Sequence, residues 1–169
     1  MHERDIKVQP DMNYFEDIPL NLAMTSPTSR SLSSEDIVGY AREWDPMPFH
    51  VDEEAARQGP IGKLFASSLH TVAITVRLAH DMMDKESAAI AGLSWQDVRF
   101  SQPVFAGDEL RVRSTVIEKR LSRSKPDRGV VTTLMELIKS DESVAVSFKI
   151  VNLVACNPNQ AGDNSSGSE

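Results

Sequence analysis

Asp45 and His50 bracket the stretch Asp45-Pro46-Met47-Pro48-Phe49-His50-Val51-Asp52. Adding water to a conjugated double bond needs one group that takes a proton from water and another that returns one to carbon. A carboxylate and an imidazole sharing a single water meet that need. Two prolines restrict the backbone between Asp45 and His50, so little entropy is lost in holding the pair together. Histidine is also the side chain whose ordinary pKa lies nearest neutrality. Asp-Pro is equally an ordinary turn starter, and a lone histidine in a loop is commonly structural. The spacing alone leaves both readings open.

A second candidate is the run Lys63 to Thr71, where Ser67 and Ser68 open a helical pattern. Backbone N–H groups at a helix start are unpaired and carry partial positive charge. A thioester carbonyl placed there would find its developing oxyanion stabilised. The small side chains of Ser67 and Ser68 would let a substrate approach the backbone, although capping or close packing explains them too. A third is the cationic run holding Lys119, Arg120, Arg123, Lys125 and Arg128. Such groups hold phosphates, those of coenzyme A included, and an exposed, solvated hairpin loop is the alternative. His70 and His80 lie on different faces of one helix, so no metal site is expected. Cys156 is expected at the frayed end of the last strand, without a nucleophilic role.

These residues need elements to hold them. Ser33, with Glu35 and Asp36 after it, reads as the N-cap of a helix carrying Ile37, Tyr40, Ala41 and Trp44, which Pro46 stops. Asp45 to His50 is expected to be non-helical, and Asp52 to cap a short helix ending at Gly59-Pro60. Phe65, Leu69, Val72, Val76, Ala79 and Met83 form one helical stripe, with further apolar residues on the other faces, as in a buried helix. Alternating runs follow at Val98 and Phe100, at Leu110 to Val116, at Val131 to Leu137 and at Val144 to Ile150. Before the first helix, residues 22–32 support an edge strand at most. The fold class is α+β, with an antiparallel sheet curled around a long central helix.

Composition sets the frame. At 169 residues, with 40% hydrophobic and 25% charged positions, the chain fits one globular domain. We expect that domain over 13–156, a flexible segment at 1–12 and a disordered tail at 157–169. The net charge of −7 argues against a nucleic-acid partner. A single cysteine allows no intrachain disulfide, and no apolar run suits a signal peptide or membrane helix. A cytoplasmic location is expected.

The stretch Asp45-Pro-Met-Pro-Phe-His50-Val-Asp52 resembles the hydratase signature of MaoC-like (R)-specific enoyl-CoA hydratases. Asp45, Pro48, His50 and Asp52 stand at the signature's positions. Ala66 to Thr71 is similar to the segment entering that family's central helix, and Phe100 to Leu110 resembles its strand–turn–strand motif. The three follow in the family's order. The resemblance implies a hotdog fold, a homodimer or an assembly of dimers, and acyl-CoA substrates, with coenzyme A as carrier and no redox cofactor. It implies that Asp45 and His50 are the catalytic dyad and that the Ser68 N–H is the oxyanion donor. Two positions depart from the family: Met47 stands where the signature often has Asn, and Ser67-Ser68 where His-Gly is usual. The expected reaction is reversible addition of water to a 2-enoyl-CoA. A hotdog thioesterase and a non-catalytic acyl-thioester-binding protein are the alternatives.

Overall fold

The computed structural model describes residues 12–159, so most of both expected flexible ends lies outside it. The described chain opens with β1 (Met12–Asn13), β2 (Ala23–Thr25) and β3 (Arg30–Ser31). Next come α1 (Ser34–Trp44), α2 (Pro48–Val51), α3 (Glu53–Gln58) and α4 (Ser68–His80). After the two-residue β4 (Glu86–Ser87) run four long strands: β5 (Ala89–Phe100), β6 (Glu109–Leu121), β7 (Arg128–Lys139) and β8 (Val144–Ala155).

The helix ends follow the capping chemistry of their sequences. The Asp36 N–H donates to Ser33 Oγ at 3.0 Å, and the Ser33 N–H donates to Asp36 Oδ2 at 2.9 Å. These two bonds close a capping box, and donation to Asp36 Oδ2 from the Ser33 N–H and from the Ser33 hydroxyl, at 2.8 Å, holds the Asp36 carboxyl below its ordinary pKa. Asp52 accepts from the Ala55 N–H at 2.7 Å to start α3, which stops at Gly59 as expected. The segment expected to be non-helical contains α2, a single turn that includes His50. Pro48 opens that turn at its first position, where a missing N–H costs nothing.

The sheet runs β2-β6-β7-β8-β5, antiparallel throughout, with β3 also on β6. Register shifts in β5, β6 and β8 mark bulges that bend the long strands. α4 lies across β6 and β7. Ile74 and Leu78 are buried there with Leu110, Val112, Leu137, Val146 and Phe148. Tyr14 and Phe15 pack at the opposite end of the sheet, with Val131 and Val154. Cys156 is buried in this second cluster and is not frayed. Burial and the nearby Glu16 push its thiol up to about 11, so it stays protonated.

The buried face of α4 is not the expected apolar stripe. Phe65 precedes the helix, in an extended bridge with Phe105, and Leu69 is exposed. The buried positions are His70, Thr71, Ile74, Thr75 and Leu78. Thr75 and Thr71 hide there because their hydroxyls donate to carbonyls one turn back, Thr71 O and Ser68 O, each at 2.7 Å. A threonine satisfied in this way packs like valine, and a pattern that counts only apolar residues misses it.

Candidate active site

Three short elements bring Asp45 and His50 together. Asp45 caps the end of α1, its N–H donating to Ala41 O at 2.9 Å. The Met47 N–H then donates to Asp45 O at 2.7 Å and the His50 N–H to Met47 O at 2.8 Å. This turn buries the imidazole and leaves the Asp45 carboxylate partly exposed. Phe49 and Phe65 each meet the His50 ring edge-on, with centroids 4.6 Å away.

His50 Nδ1 lies 2.8 Å from Phe65 O. A carbonyl only accepts, so Nδ1 carries a proton, which selects the tautomer whose lone pair is on Nε2. Nε2 faces Asp45 Oδ2 at 3.8 Å, too far for a direct hydrogen bond but suited to sharing one water oxygen. The structure thus turns two acceptors toward one place.

Phe65 also ties the pair to the start of α4. The Ala66 N–H donates to Val104 O at 2.8 Å, and Phe65 bridges Phe105. Ser67 is fully buried, and its Oγ accepts from the His70 N–H at 3.3 Å, so Ser67 is a cap and not a ligand-facing group. Ser68 is the first residue of the helix, where the backbone N–H has no intrahelical acceptor. It opens on a cleft of about 190 Å³ lined by Phe65, Thr71, Phe100, Pro103 and Val146 among others.

Sequence reasoning missed the supports of this cleft. Lys139 Nζ donates to Pro103 O at 2.7 Å, pairs with Asp108 Oδ2 at 2.8 Å and lies 5.4 Å from the Phe105 ring centroid. Asp108 in turn accepts from the Phe105 N–H at 2.9 Å. A lysine ending an alternating strand run carries no local signal of such a role.

The cations are placed elsewhere. Arg120, Arg123, Lys125 and Arg128 surround the turn joining β6 to β7, and the cleft lies by Pro103, at the opposite end of those strands. Leu110 to Leu121 spans about 35 Å at roughly 3.3 Å per residue. Within one chain these cations do not join Asp45, His50 and Ser68. Arg128 pairs with Asp127, and Arg120 lies 3.8 Å from Glu118. His70 stacks on Tyr40, with centroids 4.2 Å apart, while His80 lines a separate cavity. No group of three or more metal-ligating side chains occurs among the described residues.

A curled antiparallel sheet on a central helix, with a carboxylate and an imidazole converging beside the helix start, defines a hotdog protein whose candidate site suits acid–base work. Residues 19–137 match the MaoC like domain, and the chain belongs to the MaoC-like dehydratase family. The uncharacterized protein YdeM of Bacillus subtilis (strain 168) is 32% identical over 114 residues, 68% of this chain and 79% of that protein. The 3-hydroxyacyl-thioester dehydratase Z of Mycobacterium tuberculosis is 31% identical over 107 residues, 63% of this chain and 71% of that one. The crystal structure of a MaoC-like dehydratase from Rhodospirillum rubrum, 32% identical, matches with a TM-score of 0.77 over 86% of this chain and 99% of that one. A conserved hypothetical protein of M. tuberculosis with a double hotdog fold is 19% identical and shares the fold, with a TM-score of 0.67 over 94% of this chain and 50% of that one.

Proposed function

We propose that the protein is a hydro-lyase that adds water reversibly to a 2-enoyl-CoA, giving a 3-hydroxyacyl-CoA. The observation that carries this reading is the orientation of His50. Its Nδ1 is committed to Phe65 O, which aims Nε2 at Asp45 next to the start of α4. Asp45 and His50 hold the water. As its oxygen bonds to C3, the pair takes one proton from it and returns one to C2. Charge develops on the thioester oxygen as the bond to C3 forms and is discharged when C2 is protonated, and in between the Ser68 N–H and the dipole of α4 stabilise it. The Met47 carbonyl accepts from the His50 N–H, a backbone brace of the turn that does not depend on the side chain at position 47. Coenzyme A serves as the carrier of the acyl group, and no further cofactor is required.

Two further observations support the reading. A thioesterase would use a carboxylate on the central helix, but α4 carries no acid along its length, and Asp81, which caps its far end, is paired with Arg77 at 2.9 Å. The edge strand β5 exposes Leu93, Trp95, Val98 and Phe100, an apolar edge that a second copy would cover as a homodimer. No helix among the described residues is long and apolar enough to cross a membrane.

The test is turnover of crotonyl-CoA, following loss of the enoyl absorbance and release of free thiol in parallel. Asp45→Asn and His50→Ala should each lower kcat by about 10²–10⁴, the usual contribution of a positioned acid or base. Undiminished hydration in both variants removes the dyad. Thiol release without hydration makes the protein a thioesterase, and binding without turnover makes it a carrier of acyl thioesters.

A further inference from the structure

A second cavity, about 550 Å³, lies between the distal half of α4 and the sheet. Three elements, α4, β8 and β5, run past both spaces, and each meets them in the same order. On α4, Ser68 and Thr71 line the cleft, Ile74 and Thr75 are buried, and Val76 and Ala79 line the cavity. On β8, Val146 lines the cleft and Ile150 and Asn152 line the cavity, with Phe148 between them. On β5, Phe100 borders the cleft and Ala89 the cavity, with Trp95 between. On β7, Met135 pairs with Phe148 and faces the cavity. No described residue lines both spaces.

The layer between them is built around one ring. Phe148 is 0% exposed, the largest of the fully buried side chains, and Trp95 stacks on it with centroids 4.9 Å apart and planes within 3°. A ring held on one face by an indole and packed in the core cannot swing aside without opening a void.

We propose that Phe148, backed by Trp95, is the floor of the acyl site and restricts this enzyme to short acyl chains. The cavity beyond the floor, mainly apolar but with Asp17, His80 and Asp84 in its lining, is then space that the wild-type substrate does not reach. This rests on the hydratase reading above, because it takes the thioester carbonyl to sit at the Ser68 N–H. Phe148 itself lines neither space, but it lies on β8 between Val146 of the cleft and Ile150 of the cavity, so a chain directed along α4 from the Ser68 N–H would meet it before the cavity. The floor thus acts by refusal. One methylene too many against a rigid wall costs roughly 10–200-fold in kcat/KM, while each methylene newly buried in open apolar space gains roughly fourfold.

The test compares crotonyl-, 2-hexenoyl- and 2-decenoyl-CoA on the wild type, Phe148→Ala, Phe148→Leu, Ala79→Phe and Phe148→Ala with Ala79→Phe. Thermal melts establish which variants fold. Wild-type kcat/KM on 2-decenoyl-CoA should lie at least about 100-fold below that on crotonyl-CoA. Phe148→Ala should join the two spaces and bring the long substrate within about tenfold of the short one. If that variant does not fold, Phe148→Leu should show the smaller gain on 2-hexenoyl-CoA. Ala79→Phe fills the far cavity, so it should leave crotonyl-CoA turnover unchanged and abolish the gain made by Phe148→Ala. The floor is overturned if the wild type turns over 2-decenoyl-CoA as readily as crotonyl-CoA. It is equally overturned if a folded Phe148 variant keeps the wild-type profile, or if Ala79→Phe alone stops crotonyl-CoA turnover. Calorimetric binding of butyryl- and decanoyl-CoA to the same proteins reads the floor without turnover, so absence of hydration would sink the proposed reaction and leave this inference to be judged on affinity.

Discussion

Replacing Lys139 with Met keeps the aliphatic stem and deletes the charge, which isolates what the ammonium does for the site. The side chain is 13% exposed and that of its partner Asp108 26%, so screening by solvent is partial. Three interactions disappear: the bond to Pro103 O at 2.7 Å, the pair with Asp108 at 2.8 Å and the approach to the Phe105 ring at 5.4 Å. A hydrogen bond from a charged group contributes about 1.5–3 kcal/mol, and a partly exposed cation–π contact about 0.5–1 kcal/mol. The Phe105 N–H still donates to Asp108, which limits the cost of leaving that carboxylate behind. The expected loss is about 2–3 kcal/mol in urea unfolding.

Catalysis should suffer beyond this loss of stability. Pro103, Val104 and Phe105 hold Phe65 and Ala66 through the bridge and the Val104 carbonyl, and Phe65 O holds His50. Displacing a catalytic group by about 1 Å can cost about 10²-fold, so kcat should fall by about 10–100-fold with KM little changed. A double-mutant cycle with Asp108→Asn should return a coupling of about 1 kcal/mol. A Lys139→Met protein within about 0.5 kcal/mol of wild type and with unaltered kcat would refute the chain of support from β7 to the imidazole.

Two stability predictions rest on other residues. Burial holds His70 below its ordinary value of 6.5, against the pull of Asp36 and with a small push in the same direction from Arg30. As pH falls through 6.5 the unfolded chain takes up a proton that the folded chain resists, so stability is lost toward acid. Urea midpoints taken from about pH 7 to about pH 5 should fall for the wild type and fall less for His70→Leu, and parallel curves would remove His70 as the cause. Gly129 lies against the Phe15 ring so closely that a Cβ would overlap it. Gly129→Ala should therefore displace Phe15 and cost about 1–3 kcal/mol, and an unchanged melting temperature would show that Phe15 yields freely.

Much of this site was legible because its signals are local. The Ser33 and Asp36 box, the prolines between Asp45 and His50 and the serines opening α4 each act within a few residues of themselves. The four alternating runs became the four strands that wrap α4. The missed features are those in which distant partners decide the outcome. Any residue offers a carbonyl, so nothing about Phe65 as a residue type marks it as the group that orients His50. Phe148 and Trp95 meet only because β5 pairs with β8 across the intervening hairpins. The face of α4 was misread because Thr71 and Thr75 satisfy their own hydroxyls, and α2 was missed because a proline at the first helical position resembles a breaker.

The cationic hairpin raises a problem that one chain cannot solve. Arg123 and Lys125 are exposed at the end of the sheet remote from the cleft, so the cleft of their own molecule is out of reach. β5 runs from Ala89, beside the remote end of β8, to Phe100, beside the cleft. Two identical edge strands related by a two-fold axis and paired antiparallel would set the Phe100 end of one against the Ala89 end of the other. The partner's hairpin would then lie at the same end as this chain's cleft. If these cations serve the coenzyme phosphates, they do so across the dimer. Arg123→Ala with Lys125→Ala should then raise KM for crotonyl-CoA by about tenfold, leave kcat unchanged and flatten the dependence of KM on salt. A KM and salt dependence equal to those of the wild type would return the hairpin to a solvated loop and leave the dyad, the helix start and Phe148 untouched.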